Sequence, residues 1–147
     1  MRVDNLKVVF VGGPYFGDGK YETIDKNIKE AEEYSIALAN RGIPHFCAHT
    51  HTAHFEVKAK APEPHYYALD LAMLRNACSA YLAMPRWKDS RGARFEHEES
   101  IKLGLPIFYP KSPEDLDEVE AWYRIATQQE APNNVVDINS AQSQKLA

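Results

Sequence analysis

Four short apolar runs separated by segments of helical periodicity constrain this chain more than any other feature. Leu6 to Gly12 (LKVVFVG) reads as a buried first strand, broken by Gly12-Gly13-Pro14. Ile24, Ile28, Ala31, Ser35 and Leu38 then recur at the spacing of one helical face. Asp18 or Thr23 is placed to cap that helix, and Gly42 to stop it. Ile43 to Ala48 is a second strand, 49–64 a loop, and Tyr66 to Ala77 a short helix. Ala80 to Met84 is a third strand, Gly92 to Leu103 a helix, and Leu105 to Tyr109 a fourth strand. Ser112-Pro113-Glu114-Asp115 has the composition of a helix start, with a serine cap and proline at the first position. The helix it opens runs to about Gln129. Strands alternating with helices in this way call for βαβ units and a parallel sheet.

Two junctions support that reading independently. Gly42-Ile43-Pro44 and Gly104-Leu105-Pro106 each put glycine after a helix and proline at the start of the next strand. Glycine supplies a left-handed helix cap, and proline is tolerated where a strand begins. The expected fold class is α/β, a three-layer Rossmann/flavodoxin-like domain with a four- to five-stranded parallel sheet. It should span 1–130, followed by a polar C-terminal tail at 131–147 that lacks periodicity. A ligand would sit at the carboxyl ends of the strands, near a switch point of the sheet.

Charge and composition remove several classes. Seventeen basic and 21 acidic residues give a formal charge of −4, which is not the footprint of a duplex-binding module. Polymeric nucleic acid is therefore not expected as a partner. A small phosphorylated ligand needs only a local anion site, and Arg86, Lys88, Arg91 and Arg94 cluster within nine residues. No apolar run approaches the ~18 residues needed to span a bilayer, and Val8–Val11 is too short for a secretory leader. Cys47 and Cys78 both lie in apolar stretches, as reduced core cysteines of a cytoplasmic protein would.

Three segments follow strand ends and should converge on one rim. The first, Gly12 to Gly19, lacks the dinucleotide and Walker fingerprints, so its glycines serve either a tight loop or a close ligand approach. The second holds His49, His51 and His54. Cys47, His49 and His51 would share a face if the strand continued, but no CxxC, HxxxH or HExxH spacing accompanies them. No metal site is expected there, and a polar loop lining a pocket is the preferred reading. The third segment runs from Arg86 to Glu96. Asp89 and Ser90 can cap a helix whose first turn is Arg91-Gly92-Ala93, leaving backbone N–H groups for an anion. Gly92 admits close approach to the backbone, and Glu96, four residues on, shares its helical face. A carboxylate beside such a helix start suits attack on a sugar carbon. A solvated run, Glu96-His97-Glu98-Glu99, is the plain alternative.

These motifs, in this order, carry a resemblance. Val8-Val9-Phe10-Val11-Gly12-Gly13-Pro14-Tyr15, Tyr67-Ala68-Leu69-Asp70-Leu71-Ala72-Met73-Leu74 and Ser90-Arg91-Gly92-Ala93-Arg94-Phe95-Glu96 together resemble the nucleoside 2-deoxyribosyltransferase superfamily. That superfamily includes relatives that hydrolyse 2'-deoxynucleoside 5'-monophosphates, and the likeness covers about residues 6–110. The resemblance implies N-glycosidic cleavage or transfer, with Glu96 as the nucleophile that holds the sugar covalently. It implies that Asp70 positions the substrate and handles the proton of the base. Tyr15 would border the sugar or orient the nucleophile, and Gly12, Gly13, Asp89, Ser90, Arg91 and Gly92 would line the substrate. It also implies a homo-oligomer, dimer or larger, that needs no cofactor and takes a small-molecule nucleoside or nucleotide. The transferases carry an acid where this chain has Ser90. The monophosphate hydrolases carry serine, so Ser90 tilts the reading toward a nucleotide, unless Asp89 is a shifted acid. A binding module without turnover is the competing reading, since such folds host binders as well as enzymes.

Overall fold

The computed structural model describes Val3 and residues 6–128. The expected tail at 131–147 lies outside the described residues. The chain is an α/β domain of three layers with a four-stranded, all-parallel sheet of order β2-β1-β3-β4. The strands are β1 (Val9–Gly12), β2 (His45–Cys47), β3 (Ala80–Ala83) and β4 (Ile107–Phe108). The helices are α1 (Tyr21–Asn40), the single turns α2 (Ala48–His51) and α3 (Phe55–Lys58), α4 (Glu63–Ala77), α5 (Arg91–Lys102) and α6 (Asp117–Gln128). No helix among the described residues is long and apolar enough to cross a membrane.

Every residue of β1 and β3 is buried, as expected of parallel strands covered on both faces. Alternate side chains go to opposite layers. Val9, Val11, Ala80, Leu82 and Met84 pack against Ala31, Tyr34 and Leu38 of α1 and Val119 of α6. Phe10, Tyr81 and Ala83 face the other way, with Leu74 and Leu71 of α4. The register sets Phe10 beside Tyr81 and Gly12 beside Ala83.

The glycine–proline junctions work as the sequence suggests. Gly42 and Gly104 adopt φ of 72° and 67°. Each following proline lacks an N–H but feeds the ladder with its carbonyl: Pro44 accepts from Val9 N–H at 2.9 Å, and Pro106 from Tyr81 N–H at 3.0 Å. The chain leaves β1 for β2 on one side and returns to β3 on the other. The switch point therefore lies between the carboxyl ends of β1 and β3.

Three local expectations are corrected. The helix after β4 begins at Asp117, not at Pro113. Ser112–Asp115 forms a turn instead, closed by Asp115 N–H on the Ser112 carbonyl at 3.1 Å. The Asp115 carboxylate turns back to accept from Lys111 N–H at 2.8 Å, so it is not available to the helix. Leu116, fully buried, anchors the segment, and its carbonyl takes the first helical bond from Glu120 N–H. The loop at 49–64 contains the turns α2 and α3, and α4 starts at Glu63 rather than Tyr66, with Pro64 in its first turn. Neither Asp18 nor Thr23 is the residue before α1. Lys20 holds that place, and Asp18 accepts its N–H at 3.0 Å. Arg41, just past α1, then ties to α6 through Asp117 at 2.8 Å and Glu120 at 3.0 Å.

Candidate active site

Glu96 lies at the switch point. Ser90 caps α5 with its side chain, accepting Ala93 N–H at 3.2 Å, and this fixes the helix start as the sequence reading expected. One and a half turns later Glu96 projects toward the sheet and is 7% exposed. Its Oε2 accepts a hydrogen bond from the Tyr81 hydroxyl at 3.1 Å. Gly12 explains itself at this point: a Cβ there would stand 2.5 Å from Glu96 Oε2 and 2.6 Å from Tyr81 Cε2. Glycine at the end of β1 is what lets a carboxylate and a phenol share the space above the strand.

Asp70, one of the sequence-predicted pair, is on the same side. Its charge is the second-largest influence holding the Glu96 carboxyl up, at about 8, after burial. Burial pushes Asp70 itself up to about 6, against a downward pull from His49. Two carboxyls deprived of water favour holding a proton between them. The Tyr81 hydrogen bond and nearby His49 both favour ionised Glu96.

Residues outside the sequence-predicted pair complete the group, one of them from the histidine segment expected to line the pocket. His49 is 5% exposed, and its Nε2 meets the Pro14 carbonyl at 2.8 Å. A carbonyl only accepts, so that nitrogen carries a proton. His49 Nδ1, Asp70 Oδ1 and the Tyr66 hydroxyl are all buried without a hydrogen-bond partner. Tyr66 and Asp70 are four apart on α4 and so share one helical face. Buried polar atoms are nearly always paired, so a gathering of unpaired ones beside a protonatable glutamate calls for a ligand or a catalytic role. Strand parity offered a signal for Tyr81: a hydroxyl in a wholly apolar strand needs a partner.

The other predicted residues fall into different places. Tyr15 commits its hydroxyl to other partners, donating to Glu56 Oε2 at 2.7 Å and accepting His54 N–H at 2.9 Å. Its ring meets His49 edge-on at 5.4 Å, so it borders the centre without touching the carboxylate. Gly13 is held against Met84, whose Cβ lies 2.8 Å from where its own would be. Gly92 similarly accommodates Tyr67 at 2.9 Å, so its lack of a side chain serves packing. Asp89 sits exposed in a short turn after β3. Arg91 lies over the Phe95 ring at 5.6 Å. The basic cluster is dispersed: Arg86 pairs with Glu30 at 3.0 Å, and Arg94 donates to the Lys88 carbonyl at 2.6 Å. Among the described residues no group of three His, Cys, Asp or Glu could hold a metal ion. Two open depressions lie elsewhere, one beside Phe108–Ser112 and one along the outer face of α1, and neither includes Glu96, Asp70 or His49.

Fold and site together define a parallel α/β domain with a closed carboxylate centre at its switch point. Residues 7–109 match the family described as Domain of unknown function (DUF4406), and the chain belongs to that family. No curated protein matches it.

Proposed function

We propose that this protein cleaves or transfers the N-glycosidic bond of a (deoxy)nucleoside or nucleoside 5'-monophosphate through a glycosyl–glutamate intermediate. The observation that carries the reading is Glu96, buried and bonded to Tyr81, with unpartnered polar atoms of Asp70, His49 and Tyr66 gathered in the same region. In this scheme ionised Glu96 attacks C1' as the bond to the base breaks and its electron pair leaves with the base. Asp70 gives that base a proton. Water or an acceptor base then displaces Glu96 from C1', and the proton it sheds returns to Asp70. The reaction needs the shared proton on Asp70 and the charge on Glu96. Tyr81 and the cationic character of the sugar in the transition state favour that arrangement.

Ser90 and Arg91 at the start of α5 are the residues suited to a 5'-phosphate, because a helix start and a guanidinium both favour an anion. The protein would act as a cytoplasmic homo-oligomer on a small nucleoside or nucleotide, with no cofactor. The resemblance to the nucleoside 2-deoxyribosyltransferase superfamily supports this reading beside the geometry.

The test is chromatography of free base after incubating the full chain with deoxynucleosides, ribonucleosides and their 5'-monophosphates. Release of base from at least one, abolished in Glu96→Ala, is the expected result. Adding an acceptor base separates transfer from hydrolysis. Thermal stabilisation by a nucleotide with no base released would replace this reading with the binding module.

A further inference from the structure

The centre around Glu96 is closed. Glu96 and His49 are 7% and 5% exposed, and the unpartnered atoms of Tyr66, Asp70 and His49 have no contact with solvent. A ligand that reaches them must displace some element. The sheet and its long helices are held by buried apolar side chains, so moving them would cost much of the fold.

The segment 52–58 is held differently. The single turn α3 buries none of its residues, and Val57 is 70% exposed. Its anchors are polar. The Tyr15 hydroxyl accepts from His54 N–H and donates to Glu56. The His54 ring lies between Asp25 at 3.0 Å and Glu56 at 3.4 Å, stacked on Tyr21 at 4.3 Å. His54 also takes a left-handed backbone, φ 58°, that a residue with a Cβ adopts at some cost. The segment reaches the centre from two sides. Tyr15 carries it to His49, and Phe55 meets the edge of Tyr66 at 6.5 Å, one turn before Asp70.

We propose that residues 52–58 are a gate over the Glu96 centre, latched by the Tyr15–Glu56 and His54–Asp25 bonds and opened by their release. Segments held by a few polar contacts, with few buried apolar ones, open at lower free energy than those held by apolar burial. The latch residues lie outside the carboxylate pair, and the gate operates whatever reaction or ligand the centre serves.

Two variants of the full chain test this. His54→Gly keeps the left-handed backbone and removes the ring from Asp25, Glu56 and Tyr21. Glu56→Ala removes the nearer acceptor of Tyr15, beside the Thr52 carbonyl at 3.5 Å, and leaves the His54–Asp25 bond in place. One readout is amide hydrogen exchange of residues 54–59. The other is labelling of Glu96 by a water-soluble carbodiimide with glycine ethyl ester, followed by peptide mass spectrometry. Both rates should rise together by about tenfold or more in each variant, with the amides of β1 and β3 unchanged. Faster exchange at 54–59 without faster labelling of Glu96 would overturn the gate. So would acceleration of β1 and β3 to the same degree, which is general loosening. If His54→Gly does not fold, Glu56→Ala is judged by the same criteria. Neither readout needs turnover, so failure here is distinct from failure of the glycosidic reading.

Discussion

Glu96→Gln is the perturbation with the most calculable outcome. The carboxyl is held at about 8 in the folded chain against an ordinary value of 4.5, chiefly by burial and then by Asp70. Between these values the folded state binds a proton that the unfolded state has lost. Stability therefore falls as pH rises through this window and levels off above about 8. Each unit is worth about 1.36 kcal/mol, so three units from pH 5 to pH 8 amount to roughly 4 kcal/mol. Glutamine has no such titration, and its amide oxygen can still accept from Tyr81. The variant should thus gain on wild type by roughly 4 kcal/mol across that range, while at pH 5 the two nearly coincide. Urea unfolding at half-unit steps of pH measures the difference, and comparing the two proteins cancels the titration of every group not coupled to Glu96. A difference that stays constant to within about 1 kcal/mol from pH 5 to pH 8.5 would refute the reasoning. It would mean that Glu96 ionises as an exposed glutamate does, with no closed centre around it.

Other outcomes follow from the same contacts. Gly12→Ala puts a methyl 2.5 Å from Glu96 Oε2, and such overpacking should cost about 1–3 kcal/mol in urea unfolding and abolish any release of base. Tyr81→Phe removes the bond that favours ionised Glu96. The titration midpoint of Glu96, followed by NMR on carboxyl-labelled glutamate, should rise by about one unit, and an unmoved midpoint would remove Tyr81 from the centre.

The parts legible in the sequence were those fixed by local chemistry. Gly42 and Gly104 adopt positive φ because nothing else ends those helices so cheaply, and Ser90 caps α5 through a bond only three residues long. The helix start at Ser112 had equally good local credentials and failed. Leu116 belongs to the core on the α1 side of the sheet, and that tertiary anchor moved the start to Asp117. Glu96 stood out because it shares a helical face with Gly92 just after a capped helix start, and Asp70 only through the family resemblance. Tyr81 lies within Ala80–Met84 and reads as core, which it is, until α5 is packed above it and its hydroxyl finds Glu96. The Tyr66 hydroxyl and the Nδ1 of His49 become notable only through the partner each lacks, and only the assembled fold reveals that.

The interlock of Gly12, Tyr81 and Glu96 also limits how this protein can change over generations. Any side chain at position 12 would need the room that Tyr81 and Glu96 occupy. A lineage cannot test such a residue until position 81 has shortened, and shortening it first gives up the bond that steadies Glu96. Each step alone is a loss, and the two together still leave Glu96 without that bond. Among functional descendants, positions 12 and 81 should therefore vary jointly or not at all, although they lie on separate strands and are 69 residues apart in the chain.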